Sequence, residues 1–279
     1  MLAVLAPGQG SQTPGFLTPW LESQFASDLL SSWSNAINLD LKRLGTTADG
    51  DEIRDTANAQ PLLVAGGLVG AGALFAGDGS TISYFAGHSV GEITAAALAQ
   101  VFDGASAMKL VRARGLAMAQ AANGTETGMS AVLGGERDEV ISALTELGLT
   151  AANENGAGQI VAAGSLAALT KLAENPPAGA RVRPLAVSGA FHTSTMAPAV
   201  TELALIAART EVKDAVQPVI SNKDGAVVSE GREILDRIVG QIAGPVRWDL
   251  CMQTLAKCGV TGVIEIPPAG TLVGLIKRA

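Results

Sequence analysis

A serine flanked by glycines two residues to either side, in Gly87-His88-Ser89-Val90-Gly91-Glu92, is the part of this chain best equipped for chemistry. It follows an apolar run at 82–86 and opens an alanine-rich run at 93–99, which reads as strand, sharp turn, helix. A nucleophile elbow has this layout, because a tight strand-to-helix turn tolerates only small neighbours and pushes the hydroxyl out of the sheet. The helix N-terminus beneath the reacting oxygen carries unpaired N–H groups and a positive dipole end. Both suit the anion of a tetrahedral acyl-transfer intermediate. Ser89-Val90-Gly91-Glu92 also fits a capping box, in which the serine caps a helix and the glutamate bonds back, although such a box requires neither glycine.

A serine nucleophile needs a base within hydrogen-bond reach, and the chain has only two histidines, His88 and His192. His88 directly precedes Ser89 and leaves the strand on a different side, so His192 takes the role by elimination. No acid between residues 89 and 192 stands out as a third member: Asp103, Glu126 and Glu136 fit helix starts or polar loops equally well. A backbone carbonyl is then the alternative acceptor for the histidine, and the sequence does not say which one. The loop Gly8-Gln9-Gly10-Ser11-Gln12 lacks the endings of phosphate and dinucleotide loops. It fits either an oxyanion N–H donor opposite Val90 or a plain strand-to-helix turn.

A helix at 105–122 places Ala107, Val111, Arg114 and Met118 on one face and Lys109 and Arg112 on the other. A guanidinium in an apolar stripe needs an anionic partner, and its fork suits a carboxylate. That partner is either an internal Asp or Glu, or the free carboxylate of a substrate whose other end is attacked by Ser89.

These residues require elements to hold them. The region 1–124 alternates apolar strands at 2–6 and 83–86 with helices at 60–75, 92–100 and 105–122, the pattern of an α/β sheet. Between 125 and 190 the order becomes strand 129–133, helix 138–147, strands 149–152 and 159–163, helix 165–174, strand 182–187. That is βαββαβ, a ferredoxin-like unit. A helix after His192, a strand at 218–221, a helix at 231–242 and a strand at 263–266 follow. The expected architecture is therefore an α/β catalytic domain made of 1–124 and 191–279, with a small ferredoxin-like domain inserted at 125–190. His192 falls at the junction, where a cleft forms.

With 279 residues, nearly half apolar and a net charge of −7, the chain can bury a large core and lacks the basic balance of a nucleic-acid binder. The apolar N-terminus has no basic n-region and is cut by Pro7-Gly8, so it reads as a strand and not a signal. The uncharged stretch at 61–77 is too glycine-rich for a membrane span and reads as a core helix. Cys251 and Cys258 match neither a zinc knuckle nor a redox pair; free thiols in a reducing cytoplasm are expected, with no metal.

Taken together, several short motifs resemble the malonyl-CoA:acyl carrier protein transacylase family over essentially the whole length. They are Pro7-Gly8-Gln9-Gly10-Ser11-Gln12, Gln60-Pro61, Gly87-His88-Ser89-Val90-Gly91-Glu92, Arg114-Gly115, Gly189-Ala190-Phe191-His192, Ser221-Asn222 and Pro245-Val246-Arg247-Trp248. The resemblance implies a hydrolase-like α/β domain with an inserted ferredoxin-like domain. It implies Ser89 as nucleophile, His192 as base, and Arg114 as partner of the malonyl carboxylate, with Gln60, Phe191 and Met118 also binding substrate. The backbone N–H groups of Gln9 and Val90 would form the anion hole, and the main-chain carbonyl of Gln241 would orient His192. An aromatic before the histidine, Phe191, is the malonyl-selective pattern, where methylmalonyl-selective relatives tend to have serine. The implied reaction is ping-pong transfer from malonyl-CoA to the phosphopantetheine thiol of an acyl carrier protein, without a bound cofactor, for fatty-acid or polyketide synthesis. The chain departs from the family at Pro267-Pro268-Ala269 and at Ala157-Gly158-Gln159, which bears on loop shape. A serine thioesterase shares the elbow but has no use for Arg114, and a silent carrier-binding module has no use for the serine, histidine and arginine together. Lys171, Arg181 and Arg183 are the basic residues expected to meet an acidic carrier helix.

Overall fold

The computed structural model describes residues 1–75, 81–187 and 189–279. Among these, two five-stranded sheets carry the fold. The first runs in the order Gly262–Glu265, Leu2–Ala6, Ile82–Gly87, Val219–Ile220, Val227–Val228, and is parallel except for the last pair. Leu2–Ala6 and Ile82–Gly87 are near-continuous apolar runs because helices cover both faces of a central parallel strand. Thr56–Leu74 is apolar on every side, and by length and composition alone it could cross a membrane. However, 67% of that apolar window is buried, so it is a core helix, capped by the Asp55 carboxylate on the Ala57 N–H. It packs along Gly104–Ala122, capped by Asp103 on the Ser106 N–H. The sequence-derived stretch at 61–77 ends in residues 76 and 77, which lie outside the described residues.

The second sheet runs Ala180–Pro184, Thr127–Gly134, Gln159–Ser165, Thr150–Gly156, Val246–Arg247. Its first four strands are antiparallel. With Arg137–Glu146 and Leu166–Glu174 they follow the βαββαβ order read from the sequence. Val132, Ile160 and Ala162 pack under these helices with Leu144, Leu169 and Leu172, while Met129, Val161 and Ala163 face the main core. This sheet is thus buried on both faces, and the second face looks toward the first sheet.

Three features differ from the sequence reading. The strand expected at 182–187 is Ala180–Pro184: the Leu185 N–H still reaches the Met129 carbonyl at 3.0 Å, the chain then folds back with the Val187 N–H on the Leu185 carbonyl at 2.9 Å, and both residues line a cleft. Val246–Arg247 adds a parallel edge strand to Asn153–Glu154, and two residues carry no periodicity by which to read it. That contact is reinforced by the buried Glu154 carboxylate, 2.7 Å from Arg137 Nε and 3.4 Å from Arg247 Nε. Helices at Gln24–Ile37, Leu41–Thr46, Trp248–Lys257 and Thr271–Ile276 were not read. The first has a legible apolar stripe in Ala26, Leu30, Trp33 and Ile37, all buried.

Candidate active site

Ser89 sits in the turn between Ile82–Gly87 and Gly91–Leu98 with φ of 53°, a left-handed conformation that a side chain adopts only under constraint. The constraint comes from the flanking glycines. A Cβ on Gly87 would lie 2.0 Å from the Gly91 carbonyl carbon, and one on Gly91 would lie 2.2 Å from the Ala6 carbonyl oxygen. The elbow is pressed on itself and on the first strand, and only hydrogen fits at either position.

The capping-box reading does not hold. Val90 occupies the cap position without a side-chain cap bond, since the left-handed backbone at Ser89 carries its hydroxyl away from the helix amides. Glu92 does not bond back either; its buried carboxylate accepts from the Asn222 N–H at 2.6 Å and from Gln241 Nε2. Asn222, fully buried, also accepts from the Ser89 N–H at 2.8 Å and donates to the Gly87 carbonyl at 2.7 Å.

Ser89 Oγ lies 2.8 Å from His192 Nε2, and His192 Nδ1 lies 2.8 Å from the main-chain oxygen of Gln241. A carbonyl only accepts, so Nδ1 carries the hydrogen and Nε2 of the neutral ring keeps its lone pair toward the serine. His192 also has positive φ, 61°, and its N–H donates to the Ile242 carbonyl. Ser188, which opens the segment leading to His192, lies outside the described residues. His88 turns elsewhere: Nε2 is 2.8 Å from Asn155 Oδ1, and the ring meets Trp248 edge-on at 5.8 Å. Neither Gln9 N–H nor Val90 N–H has an acceptor among the described residues, and both residues line the cleft over Ser89. The Gln9 side chain is anchored away from it, on Thr56 Oγ1 and the Arg54 carbonyl.

Arg114 is 1% exposed on a face shared with the buried Ala107, Val111 and Met118. Among the described residues it has no acidic partner within salt-bridge distance. Its contacts are neutral: Nη1 donates to Gln60 Oε1 at 2.7 Å, and Nη2 to Gln241 Oε1 at 3.0 Å and Ser89 Oγ at 3.3 Å. Nε has no partner. Burial pulls the guanidinium down to about 10, against the attraction of Glu92. Burial, with the Arg114 charge beside it, pushes His192 down to about 3, and burial raises Glu92 to about 7 despite its hydrogen bonds. A buried, unneutralised cation thus stands beside a serine hydroxyl that is hydrogen-bonded to a neutral imidazole. That arrangement accommodates an acyl group with its own carboxylate.

An acyl transferase domain profile matches residues 5–279. The chain belongs to the acyl transferase family. It is 52% identical to the malonyl CoA-acyl carrier protein transacylase of Mycobacterium tuberculosis, over 100% of this chain and 93% of that one. With the corresponding protein of Bacillus subtilis it shares 34% over 99% and 90%. The solved structure of the M. tuberculosis protein superposes with a TM-score of 0.96, at 52% identity and the same coverage. A type II PKS acyl-carrier protein in complex with its malonyl-transacylase gives 0.94 at 31% identity, covering 99% of this chain and 92% of that one.

In this acyl transferase, Gln9, Gln60, Ser89, Val90, Arg114, Met118, Phe191 and His192 all line one cleft of about 390 Å³, and Gln241 closes it from behind. Gln60 is also 3.5 Å from the Met118 sulfur. The sequence reading missed Asn153, Asn155 and Gln159 on the facing wall and the stretch beginning at Gly270, with Arg278 at the lip. Asparagines two apart in a strand were a usable signal, since Asn is disfavoured in strands and that spacing puts both on one face. The departure at 267–269 leaves this wall anchored, because Glu265 accepts from the N–H groups of Gly270, Leu272 and Val273. Lys171 lies on a helix covering one face of the second sheet, while Arg181 and Arg183, spaced by two from Leu185, share with it the other face, toward the cleft. The expected basic cluster is therefore two residues on one face and one on the opposite side.

Proposed function

We propose that the protein transfers malonyl groups from malonyl-CoA to the phosphopantetheine thiol of an acyl carrier protein. The observation that carries this reading is the buried Arg114 guanidinium, neutralised by no acid, 3.3 Å from the Ser89 hydroxyl. The names of relatives 52% and 34% identical support the substrate pair.

His192 Nε2 takes the Ser89 proton as Oγ attacks the thioester carbonyl, while Arg114 pairs with the malonyl carboxylate. The oxyanion is received by the N–H groups of Gln9 and Val90, preorganised at the loop and at the helix start. The intermediate collapses, the CoA sulfur leaves with the proton from His192, and malonyl remains as an ester on Ser89. The carrier thiol then gives its proton to His192, attacks the ester, and Ser89 recovers a hydrogen. Burial holds His192 down most, and the Arg114 charge adds to it; a bound carboxylate cancels the Arg114 share, so the correct substrate itself makes the base more basic. Gln60, Phe191 and Met118 line the acyl pocket.

Residues 1–124 and 191–279 act as a hydrolase-like catalytic domain, and 125–190 as an inserted ferredoxin-like domain. The parallel order of one sheet and the antiparallel order of the other support this division. No bound cofactor or metal enters the scheme, and the reaction is assigned to the cytoplasm, in fatty-acid synthesis or in polyketide synthesis.

Intact mass after mixing with malonyl-CoA and no acceptor tests the reading, with Ser89→Ala alongside. A malonyl adduct confined to the unmodified protein and discharged by carrier thiol is expected. Rapid loss of the adduct to water would indicate a hydrolase, and no adduct with no CoA release would indicate a carrier-binding module.

A further inference from the structure

Behind the cleft, the Gln241 side chain joins two buried ionisable groups, Arg114 and Glu92, that do not touch each other within salt-bridge distance. Its Oε1 accepts from Arg114 Nη2 at 3.0 Å, and its Nε2 donates to Glu92 Oε2 and, at 3.1 Å, to Asn222 Oδ1. An amide can be turned either way, and here its partners allow one orientation, with Glu92, Asn222 Oδ1 and, at 3.3 Å, the main-chain oxygen of Ser89 all on the Nε2 side. Guanidinium only donates, so it must meet the amide oxygen; an ionised carboxylate only accepts, so it must meet the amide nitrogen. The second Glu92 oxygen accepts from the Asn222 N–H at 2.6 Å, and the Asn222 side chain in turn holds the Ser89 N–H and the Gly87 carbonyl.

We infer that Glu92 is a positioning residue for acyl selectivity: through the Gln241 amide, its carboxylate fixes the orientation of Arg114 toward the carboxylate of the substrate. The inference rests on the reading of Arg114 as the carboxylate partner. Gln241 thus serves two ends of the site, its main-chain oxygen steering His192 and its side chain steering Arg114. A glutamine in place of Glu92 has one accepting oxygen for two N–H donors, Asn222 and Gln241. One of them must lose its acceptor, or the Gln241 amide must turn its NH2 toward Arg114. An aspartate keeps both accepting oxygens on a shorter stem.

The test is the ratio of kcat/KM for malonyl-CoA to that for acetyl-CoA, with folding checked by thermal melting. Glu92→Gln should lower the ratio by about tenfold or more, the worth of a charge-assisted hydrogen bond. Most of the fall should lie in the KM for malonyl-CoA, with partial recovery in Glu92→Asp. In an Arg114→Ala background, Glu92→Gln should leave the ratio unmoved. Gln241→Met, which keeps the main-chain carbonyl, should lower the ratio as Glu92→Gln does, and it decides the matter if Glu92→Gln does not fold. Equal losses for both thioesters in Glu92→Gln and Gln241→Met, while Arg114→Ala still lowers the ratio, would overturn the inference. An Arg114→Ala variant that leaves the ratio intact would instead overturn the reading of Arg114 on which it rests.

Discussion

At the scale of single residues, the site works by holding two groups away from their ordinary charge balance. Arg114 is a cation with neutral neighbours, and its cost is recovered only when a carboxylate enters. Replacing it with alanine should cost malonyl-CoA about 3 kcal/mol or more in kcat/KM, on the order of a hundredfold, and acetyl-CoA little. Steady-state kinetics with both thioesters measure this. His192 stays neutral far below an ordinary histidine because burial and the Arg114 charge hold its pKa down to about 3. In the proposed mechanism the neutral ring is the base, so a lowered pKa extends activity toward acid. With acetyl-CoA, which leaves Arg114 unneutralised, kcat/KM for acylation should therefore stay level through pH 6.5 and below. In Arg114→Ala the acid limb should move up, while burial, the larger cause, still holds it below the ordinary histidine value. Stopped-flow acylation across about pH 4.5 to 8 should show a level profile for the unmodified protein and a falling acid side in Arg114→Ala.

At the scale of elements, the elbow is held by Asn222 as firmly as by its glycines. The Asn222 side chain reaches from the segment after Val219–Ile220 to the Gly87 carbonyl and the Ser89 N–H on the neighbouring strand's turn. Asn222→Ala leaves both groups buried without a partner, and should destabilise the protein by about 2–4 kcal/mol. Urea denaturation would measure that loss. The acylation rate should fall more than the affinity for malonyl-CoA, because the nucleophile loses its positioning while the pocket does not. Gly91→Ala is expected to be worse, since its Cβ would collide with the Ala6 backbone and force the helix start off the first strand.

At the scale of the molecule, the cleft lies where the second sheet packs its Met129, Val161 and Ala163 face on the main core and is further fastened by polar contacts. The peptide segment Val246–Arg247 extends the small sheet, with Glu154 bridging Arg137 and Arg247 at its edge, and His88 reaches across to Asn155. The carrier must approach the mouth of this cleft, and Arg181 and Arg183 stand exposed on the cleft side of the small sheet's edge strand. Charge reversal at both, Arg181→Glu with Arg183→Glu, should raise KM for the acyl carrier protein severalfold and leave acylation by malonyl-CoA unchanged. Lys171→Glu, on the far face, should change neither. Half-reaction kinetics with holo carrier separate the two effects.

What the sequence determined by itself was local. The glycine spacing around Ser89 demands a turn that only hydrogen atoms fit, the two-residue and 3.6-residue periods mark the βαββαβ order, and Arg114 falls on an apolar helical face whatever surrounds it. With only two histidines in the chain, elimination also pointed to His192, whose 2.8 Å contact with Ser89 across 103 positions is a property of the fold. The tertiary structure decided everything that depends on distant segments meeting. The local pattern at Ser89 and Glu92 suggested a capping box, yet the left-handed turn sends the hydroxyl to His192, and Glu92 is claimed by Asn222 and Gln241 from the far end of the chain. Asn153 and Asn155 gained meaning only when their strand became the opposite wall of the cleft. The edge strand Val246–Arg247 carried no signal, because two residues have no period and are held in place by a partner ladder alone. Hydrophobic periodicity records which face of an element is buried, but not what it is buried against. The partners of buried polar groups are set by the packing of the whole chain.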